Sequence, residues 1–162
     1  FHPKKLIKIN KYFFKNKNVK SVFNFPKSTK SNFQFKKRNK KNLWPTIFPT
    51  SCISTRRNNF KKFAKFIKPK NFPSLEVDAR FVIFSKFYNN EYKLIMDQLT
   101  TYNTDYYGIT SKIKKFSKRW WLRRDQAYEY LKYILKYKNE KLGITLDSIV
   151  TRLFFKSIKF IK

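Results

Sequence analysis

The sequence has almost none of the residues from which common catalytic and metal sites are built. Its 162 residues include one cysteine, Cys52, and one histidine, His2, at the start of the chain. A single cysteine can form neither an intramolecular disulfide nor a thiolate cage for zinc, and these counts argue against a Ser-His or Cys-His nucleophilic pair. Two glycines are too few for a phosphate-cradling loop, and Glu76 with Asp78 is an isolated carboxylate pair. We therefore predict no enzymatic activity, no metal and no cofactor.

Acidic residues are missing from the whole first part of the chain. Residues 1–75 contain no Asp or Glu and 21 Lys or Arg, while residues 76–162 contain all nine acids and 18 Lys or Arg. The net charge of +30 repels itself in a compact protein, and RNA phosphate is the densest common polyanion that could neutralise it. We predict a basic RNA-binding extension over residues 1–75 and a folded domain over residues 76–162.

The extension also lacks a sustained hydrophobic period. All six prolines of the chain fall within it, and its apolar residues follow neither a helical nor a strand repeat. We expect a largely irregular segment whose phenylalanines stack on bases or fill protein crevices, with a short helix within residues 56–68. Its first 30 residues resemble an import presequence, but the same composition continues beyond them, so we interpret the whole as an integral extension.

Long apolar runs are absent as well, which predicts no membrane span. Aromatic residues, in contrast, make up 20% of the chain, enough to build a core. Abundant Lys, Asn, Phe, Ile and Tyr with little Gly or Ala is the composition that an AT-rich genome encodes, and it points to an organelle or a similarly biased nucleus.

Residues 76–162 show alternating strand and helix patterns. Residues 80–88 are rich in β-branched and aromatic types, and helical spacing then begins after Asn89-Asn90. The predicted elements, in chain order, are a strand over 80–88, a helix from Asn89 or Asn90 through Tyr102 or Asn103 that stops near Gly108, a strand at 120–122, an ambiguous segment at 128–137, a turn at 139–143, a helix capped by Thr145 that runs through Leu153, and a strand over 155–161. Periodicity alone slightly favours a helix at 128–137.

This order resembles the universal small-subunit ribosomal protein family called S-ten. The segments that carry the resemblance are Ser85-Lys86-Phe87, Leu94-Ile95-Met96-Asp97-Gln98, Gly108, residues 113–122, Gln126-Ala127-Tyr128-Glu129-Tyr130 and residues 146–161. The family's hairpin tip has no counterpart, because Arg124-Asp125 passes almost directly to Gln126. The resemblance implies an α+β fold, a ferredoxin-like β-α-β-β-α-β domain that follows the irregular basic N-terminal extension, with residues 128–137 as a strand.

The resemblance also implies a function. Proteins of this family are structural constituents of the small-subunit head, where they bind ribosomal RNA and neighbouring head proteins during translation. Combined with the composition, it predicts a component of a mitochondrial ribosome in the matrix that is not a homo-oligomer.

Lysine and arginine clusters mark the predicted RNA contacts. Seven cations surround Trp120 and Trp121, which suits a phosphate grip with indole stacking, although a solvated loop with one tryptophan in the core fits the same pattern. The predicted RNA-binding residues are Lys36, Lys37, Arg38, Lys40, Lys41, Arg56, Arg57, Lys61, Lys62, Lys112, Lys114, Lys115, Lys118, Arg119, Trp120, Arg123 and Arg124.

An alternative interpretation belongs to a different class of protein. A strongly basic chain can be an accessory subunit of a mitochondrial inner-membrane complex, held by acidic lipids and acidic subunits. The extension shows no amphipathic face in its sequence and so favours RNA over a lipid surface.

Overall fold

The structure, a computed structural model, describes residues 2–28, 48–68, 70–102 and 113–160 of the chain. In these ranges it is an α+β fold of helices packed on one small mixed sheet, which confirms the predicted class. The elements are α1 (Lys5–Lys15), β1 (Ser21–Ser28), a 3₁₀ turn (Thr50–Cys52), β2 (Ile53–Thr55), α2 (Arg57–Ala64), α3 (Val77–Ile83), a π-helix (Phe84–Asn89), β3 (Tyr92–Tyr102), α4 (Lys118–Lys136) and α5 (Leu146–Phe160).

The sheet has three strands in the order β2-β1-β3. Strand β1 pairs with β2 in antiparallel and with β3 in parallel, and the parallel register shifts on either side of Phe25. Pro26 lies beyond the residues that pair with β2, so its missing N–H falls where, among the described residues, β1 pairs with β3 alone. The sheet therefore joins residues from both halves of the chain.

The two faces of β1 are buried by different helices. Val22 packs with Ile9 of α1 and Leu99 of β3 on one face. Its neighbour Phe23 points to the opposite face, where the larger aromatic core lies. In that core the ring of Phe63 from α2 meets the ring of Phe81 from α3 edge-on, with centroids 4.9 Å apart. Phenylalanines from the described residues between 23 and 84 thus share one core, to which α4 adds tyrosine and aliphatic side chains.

The expectation that residues 1–75 are largely irregular is wrong for the part of that range that the structure describes. Helix α1, strands β1 and β2 and helix α2 all lie within it. The short helix expected within residues 56–68 is confirmed as α2; its Phe63 is fully buried, whereas Phe60 is half exposed. Sequence periodicity missed β1 because both faces of that strand are buried, which removes the alternation that marks a half-exposed strand.

Around Asn89-Asn90 the predicted boundary is right but the element types are exchanged. Residues 80–88, predicted as a strand, belong to α3 and the π-helix, and the residues predicted as a helix after Asn90 form β3. Residues 79–86 are all buried, including the polar Arg80, Ser85 and Lys86, so this segment has no solvent-exposed face whose polar residues would reveal a helical period. Asn90 adopts the left-handed conformation (φ 52°) that ends the π-helix, instead of capping a following helix.

The remaining strand predictions in the second half are wrong as well. Residues 120–122 and 128–137 fall in or directly after α4, and residues 155–160 belong to α5. The periodicity of residues 128–137 was therefore the better guide, since Leu131, Ile134 and Leu135 are buried on one face of α4. Within the described residues, β3 is the one strand that residues 80–160 contribute, so the β-α-β-β-α-β order is not found there. Gly108 lies outside the described residues.

Side-chain hydrogen bonds cap the N-termini of α4 and α5. The Ser117 hydroxyl accepts a bond from the backbone N–H of Trp120 (3.2 Å) and caps α4. The cap expected at Thr145 is confirmed, because its hydroxyl accepts from the Ser148 N–H (3.2 Å) while the Ser148 hydroxyl accepts from the Thr145 N–H (3.1 Å). This reciprocal arrangement satisfies two N–H groups at the start of α5.

Candidate nucleic-acid interface

Exposed cations surround the beginning of α4. Lys114 and Lys115 precede the helix, Lys118 and Arg119 form its first turn, and all four side chains are exposed. The first turn carries no acidic residue. A helix N-terminus has a partial positive charge, so the two cations there are repelled by the helix that carries them. This surface, which we call the α4 entry surface (residues 114–120), is suited to bind an anion.

Phe116 lies at the centre of the α4 entry surface. Its ring is 61% exposed, and its backbone has φ of 65°, which is rare for a bulky residue. The Lys115 ammonium lies 4.8 Å from the ring centroid. An exposed aromatic ring surrounded by cations can stack on a nucleotide base while the cations meet phosphates.

Two tryptophans join Phe116 to the rest of the protein. The Trp120 ring packs edge-on against both Phe116 (centroids 5.2 Å apart) and Trp121 (4.6 Å). Trp121 is buried and stacks in parallel on Phe154 of α5 at 4.7 Å. The sequence pattern left open whether either indole lies in the core, and the structure places Trp121 there and leaves Trp120 partly exposed.

The adjacent Arg123 and Arg124 bond within the protein. The Arg123 Nε donates to Glu76 Oε2 at 2.6 Å, and both side chains are mostly buried. Arg124 pairs with Asp147 of α5 and stacks on the Trp120 ring, with its guanidinium carbon 4.7 Å from the centroid. These two arginines bond to residues of the protein next to the α4 entry surface and so stabilise it, whereas the four cations of the surface itself are exposed to solvent.

A similar division separates the predicted residues of α2. Arg56, which directly precedes α2, faces inward and donates to the backbone carbonyls of Phe13 (2.6 Å), in the last turn of α1, and Val19 (2.9 Å), in the segment after it. Arg57, Lys61 and Lys62 are exposed. The Lys62 ammonium lies 5.0 Å from the centroid of the Tyr88 ring.

Sequence reasoning did not select a row of lysines on α1. Lys4, just before the helix, and Lys8, Lys11 and Lys15 within it are all exposed. Their steps of three and four residues place them on one side of the helix, and this spacing was visible in the sequence. Lys8 pairs with Asp97 of β3 at 3.1 Å.

Six predicted RNA-binding residues lie outside the part of the chain that the structure describes. They are Lys36, Lys37, Arg38, Lys40, Lys41 and Lys112.

The Asp78 carboxylate is half-buried and the Cys52 thiol is fully buried. Among the described residues there is no group of three or more His, Cys, Asp or Glu side chains that could hold a metal. Asp78 Oδ1 accepts from the Ala79 N–H at 2.7 Å, and burial raises the pKa of its carboxyl. Burial also raises the pKa of the Cys52 thiol, which favours its neutral, unreactive form.

Comparison with known proteins adds no family to these observations. No family model, curated protein or solved structure matches this chain. The resemblance to the S-ten family therefore stays a prediction, and the interface rests on its own geometry. Among the described helices, none combines the length and the apolar character that crossing a bilayer requires.

Proposed function

We propose that this chain is a non-catalytic RNA-binding protein, and specifically a structural constituent of the small subunit of a mitochondrial ribosome. The observation that carries the proposal is the α4 entry surface, where four exposed cations and an exposed phenylalanine meet at a helix N-terminus without acids. Phosphate oxygens accept hydrogen bonds from Lys, Arg and helix N–H groups together, and a base stacks on the ring.

The net charge supports RNA as the polyanion. The α1 and α2 helices also begin without an acidic residue, and both carry exposed lysines. Anions bound near these helix starts would be stabilised by the helix dipoles and would reduce the repulsion within a chain of charge +30. A ribosome offers phosphate on many sides of one small protein.

The assignment to the S-ten family is the finer part of the proposal. It depended on an order of strands that the described residues replace largely with helices. The net charge and the α4 entry surface support RNA binding, and membership of the S-ten family stays a prediction from the sequence.

Salt-dependent binding of the purified chain to RNA tests the α4 entry surface. Replacing Lys114, Lys115, Lys118 and Arg119 with Gln should lower the slope of log affinity against log salt for a single-stranded oligonucleotide by about 0.7 for each lost phosphate contact. The matched control replaces four other exposed lysines, namely Lys70, Lys93, Lys136 and Lys141, and removes the same charge. Equal slopes for the two quadruple variants would contradict the assigned surface.

Sedimentation tests the ribosomal part of the proposal. At low salt the chain should co-migrate with the small ribosomal subunits of its own mitochondria, and RNase treatment should release it. Co-migration with a membrane complex that resists RNase would contradict this assignment.

One observation favours the alternative membrane-complex function. Leu6, Ile7 and Phe14 of α1 are strongly exposed on the helix that carries the lysine row. Basic helices with exposed apolar residues bind the surface of anionic bilayers. Vesicles of phosphatidylcholine with and without cardiolipin separate the two proposals: binding that requires cardiolipin and is unaffected by the α4 substitutions would favour the membrane function.

A further inference from the structure

Helix α5 buries two small polar residues and leaves several large aliphatic residues exposed. Ser148 and Thr151 are buried against the protein, whereas Leu146 is 81% and Leu153 is 60% exposed. A surface helix of a soluble protein normally has the opposite orientation. Hydrophobic burial alone would favour the opposite orientation of α5, so its exposed aliphatic residues need another explanation.

The exposed apolar residues form one continuous stripe. We define the α5 stripe as Leu146, Ile149, Val150 and Leu153, which recur at the three- and four-residue steps that place side chains on the same face of a helix. Ile144, just before the helix, is also exposed. A contiguous exposed patch of large aliphatic residues marks an interaction site more often than single exposed residues do.

Specific contacts with α4 hold α5 in this orientation. Asp147 bonds to both Arg124 and Tyr128 of α4. The Arg124 Nε also lies 3.4 Å from the Thr151 hydroxyl, and Phe154 stacks on Trp121. Turning α5 to bury its apolar side would break all of these contacts. The stripe is thus a consequence of how α5 is anchored.

The chemistry of the stripe and its edge identifies the occupant. Aliphatic side chains have no π face for a base to stack on, so RNA is a poor partner for this surface. A second copy of the chain would bring another net charge of +30 to the contact. The exposed Lys156 lies on one edge of the stripe, seven residues after Ile149. Arg152 lies on the same edge, where its guanidinium also pairs with Glu129 of α4 at 3.7 Å. An apolar surface with a basic edge is complementary to an apolar segment with acidic neighbours.

We propose that the α5 stripe docks against a different protein, through an apolar segment of that protein whose flanks carry carboxylates. This inference rests on the proposed function in one respect, which is that the chain works within an assembly of RNA and proteins. It assigns the protein contact to α5 and leaves the RNA contact to the α4 entry surface.

Photo-crosslinking in the intact assembly tests both assignments separately. One variant carries p-benzoyl-phenylalanine in place of Leu153, and a second carries it in place of Phe116; both are expressed as full chains and purified within their assembly. Leu153 should give an adduct with another protein, and the linked peptide, read by mass spectrometry, should be apolar with Asp or Glu beside it. Phe116 should give an adduct with RNA.

Every outcome at Leu153 decides the proposal. An adduct with RNA, an adduct with a second copy of the chain, a linked peptide with basic flanks, or no adduct would overturn it. If Leu153 behaves as expected and Phe116 does not reach RNA, the RNA function fails while the docking surface stands. The reverse result removes the docking surface alone.

Charge reversal at the edge of the stripe supplies a second measurement. Lys156→Glu should lower the yield of the Leu153 adduct by about threefold or more, because it places a like charge opposite the acidic flank. The matched control is Lys136→Glu, an exposed lysine in the last turn of α4 that makes the same change in net charge. Equal yields for the two variants would show that acidic flanks play no part, and would overturn that element of the proposal.

Discussion

The Nε atom of Arg123 in α4 lies 2.6 Å from Oε2 of Glu76, the residue that precedes α3. Both side chains are mostly buried, so this ion pair joins two helices beneath the α4 entry surface. Arg123→Gln should lower the free energy of unfolding by about 1–3 kcal/mol, since it leaves a partly buried carboxylate without its charged partner. Urea denaturation measures the change.

The control for this prediction is an exposed pair on the same helix. Lys132 and Glu129 lie 2.7 Å apart, with both side chains substantially exposed. Lys132→Gln should change stability by less than about 0.5 kcal/mol because solvent screens such pairs. A similar loss in both variants would show that the burial of Arg123 and Glu76 has no energetic effect.

Arg56, the residue before α2, stabilises the end of α1. Its guanidinium donates to the carbonyl oxygen of Phe13, which is in the last turn of α1 and lacks a partner within the helix, and to that of Val19 in the segment after α1. Arg56→Lys keeps the charge but loses the forked donors, and should destabilise the protein by about 1–2 kcal/mol. Hydrogen exchange of the last turn of α1 should quicken. Arg57→Lys, at an exposed position, is the control and should leave that exchange unchanged.

Phe116 should control the preference for unpaired RNA. Phe116→Leu keeps an apolar side chain but removes the π face, so affinity for a single-stranded oligonucleotide should fall by about 1–3 kcal/mol. Phe116→Tyr should retain the affinity. Binding to a duplex of equal length, measured in parallel, should change little because paired bases are not free to stack. An equal loss on both RNAs would show that Phe116 acts through the fold alone.

Lys86 should make stability depend on pH. It is buried in the π-helix, and burial lowers its pKa from 10.5 to about 8. In the unfolded chain Lys86 holds its proton up to about pH 10.4. Between about pH 8 and that value the folded state therefore binds fewer protons than the unfolded chain. As a result, the contribution of Lys86 makes the free energy of unfolding rise with pH in this range. Lys86→Met should therefore be more stable than the parent at pH 7 by roughly 2 kcal/mol, with an advantage that shrinks towards pH 10.

The comparison with Lys86→Met isolates this group from others that titrate in the same range. Burial raises the pKa of Cys52 and Tyr133, and those groups lower stability at high pH in both proteins. Thermal or urea unfolding from pH 7 to pH 10 gives the difference. A constant difference between the two proteins would show that Lys86 keeps its proton on folding.

Several features of this protein could be predicted from its sequence. Charge and composition do not depend on packing, so the basic character and the scarcity of catalytic residue types were visible directly. The helical period at 128–137, the short helix after Arg56 and the cap at Thr145 follow from local rules, and the structure confirms each. The boundary at Asn89-Asn90 was also correct, since asparagine favours the left-handed backbone that Asn90 adopts.

Tertiary structure decided what local patterns could not. Residues 79–86 are buried on all sides as a helix, and β1 is buried on both faces as a strand, so neither segment shows the polar alternation that distinguishes the two. Strand β1 also takes its parallel partner from residues 92–102, a pairing no local window contains. In the same way, neighbouring cations acquired different roles: Arg56 and Arg123 bond inward, whereas Arg57 and Arg119 remain exposed. The net charge follows from composition alone. Which cations face solvent, and so can meet a ligand, depends on which face of each helix the core covers.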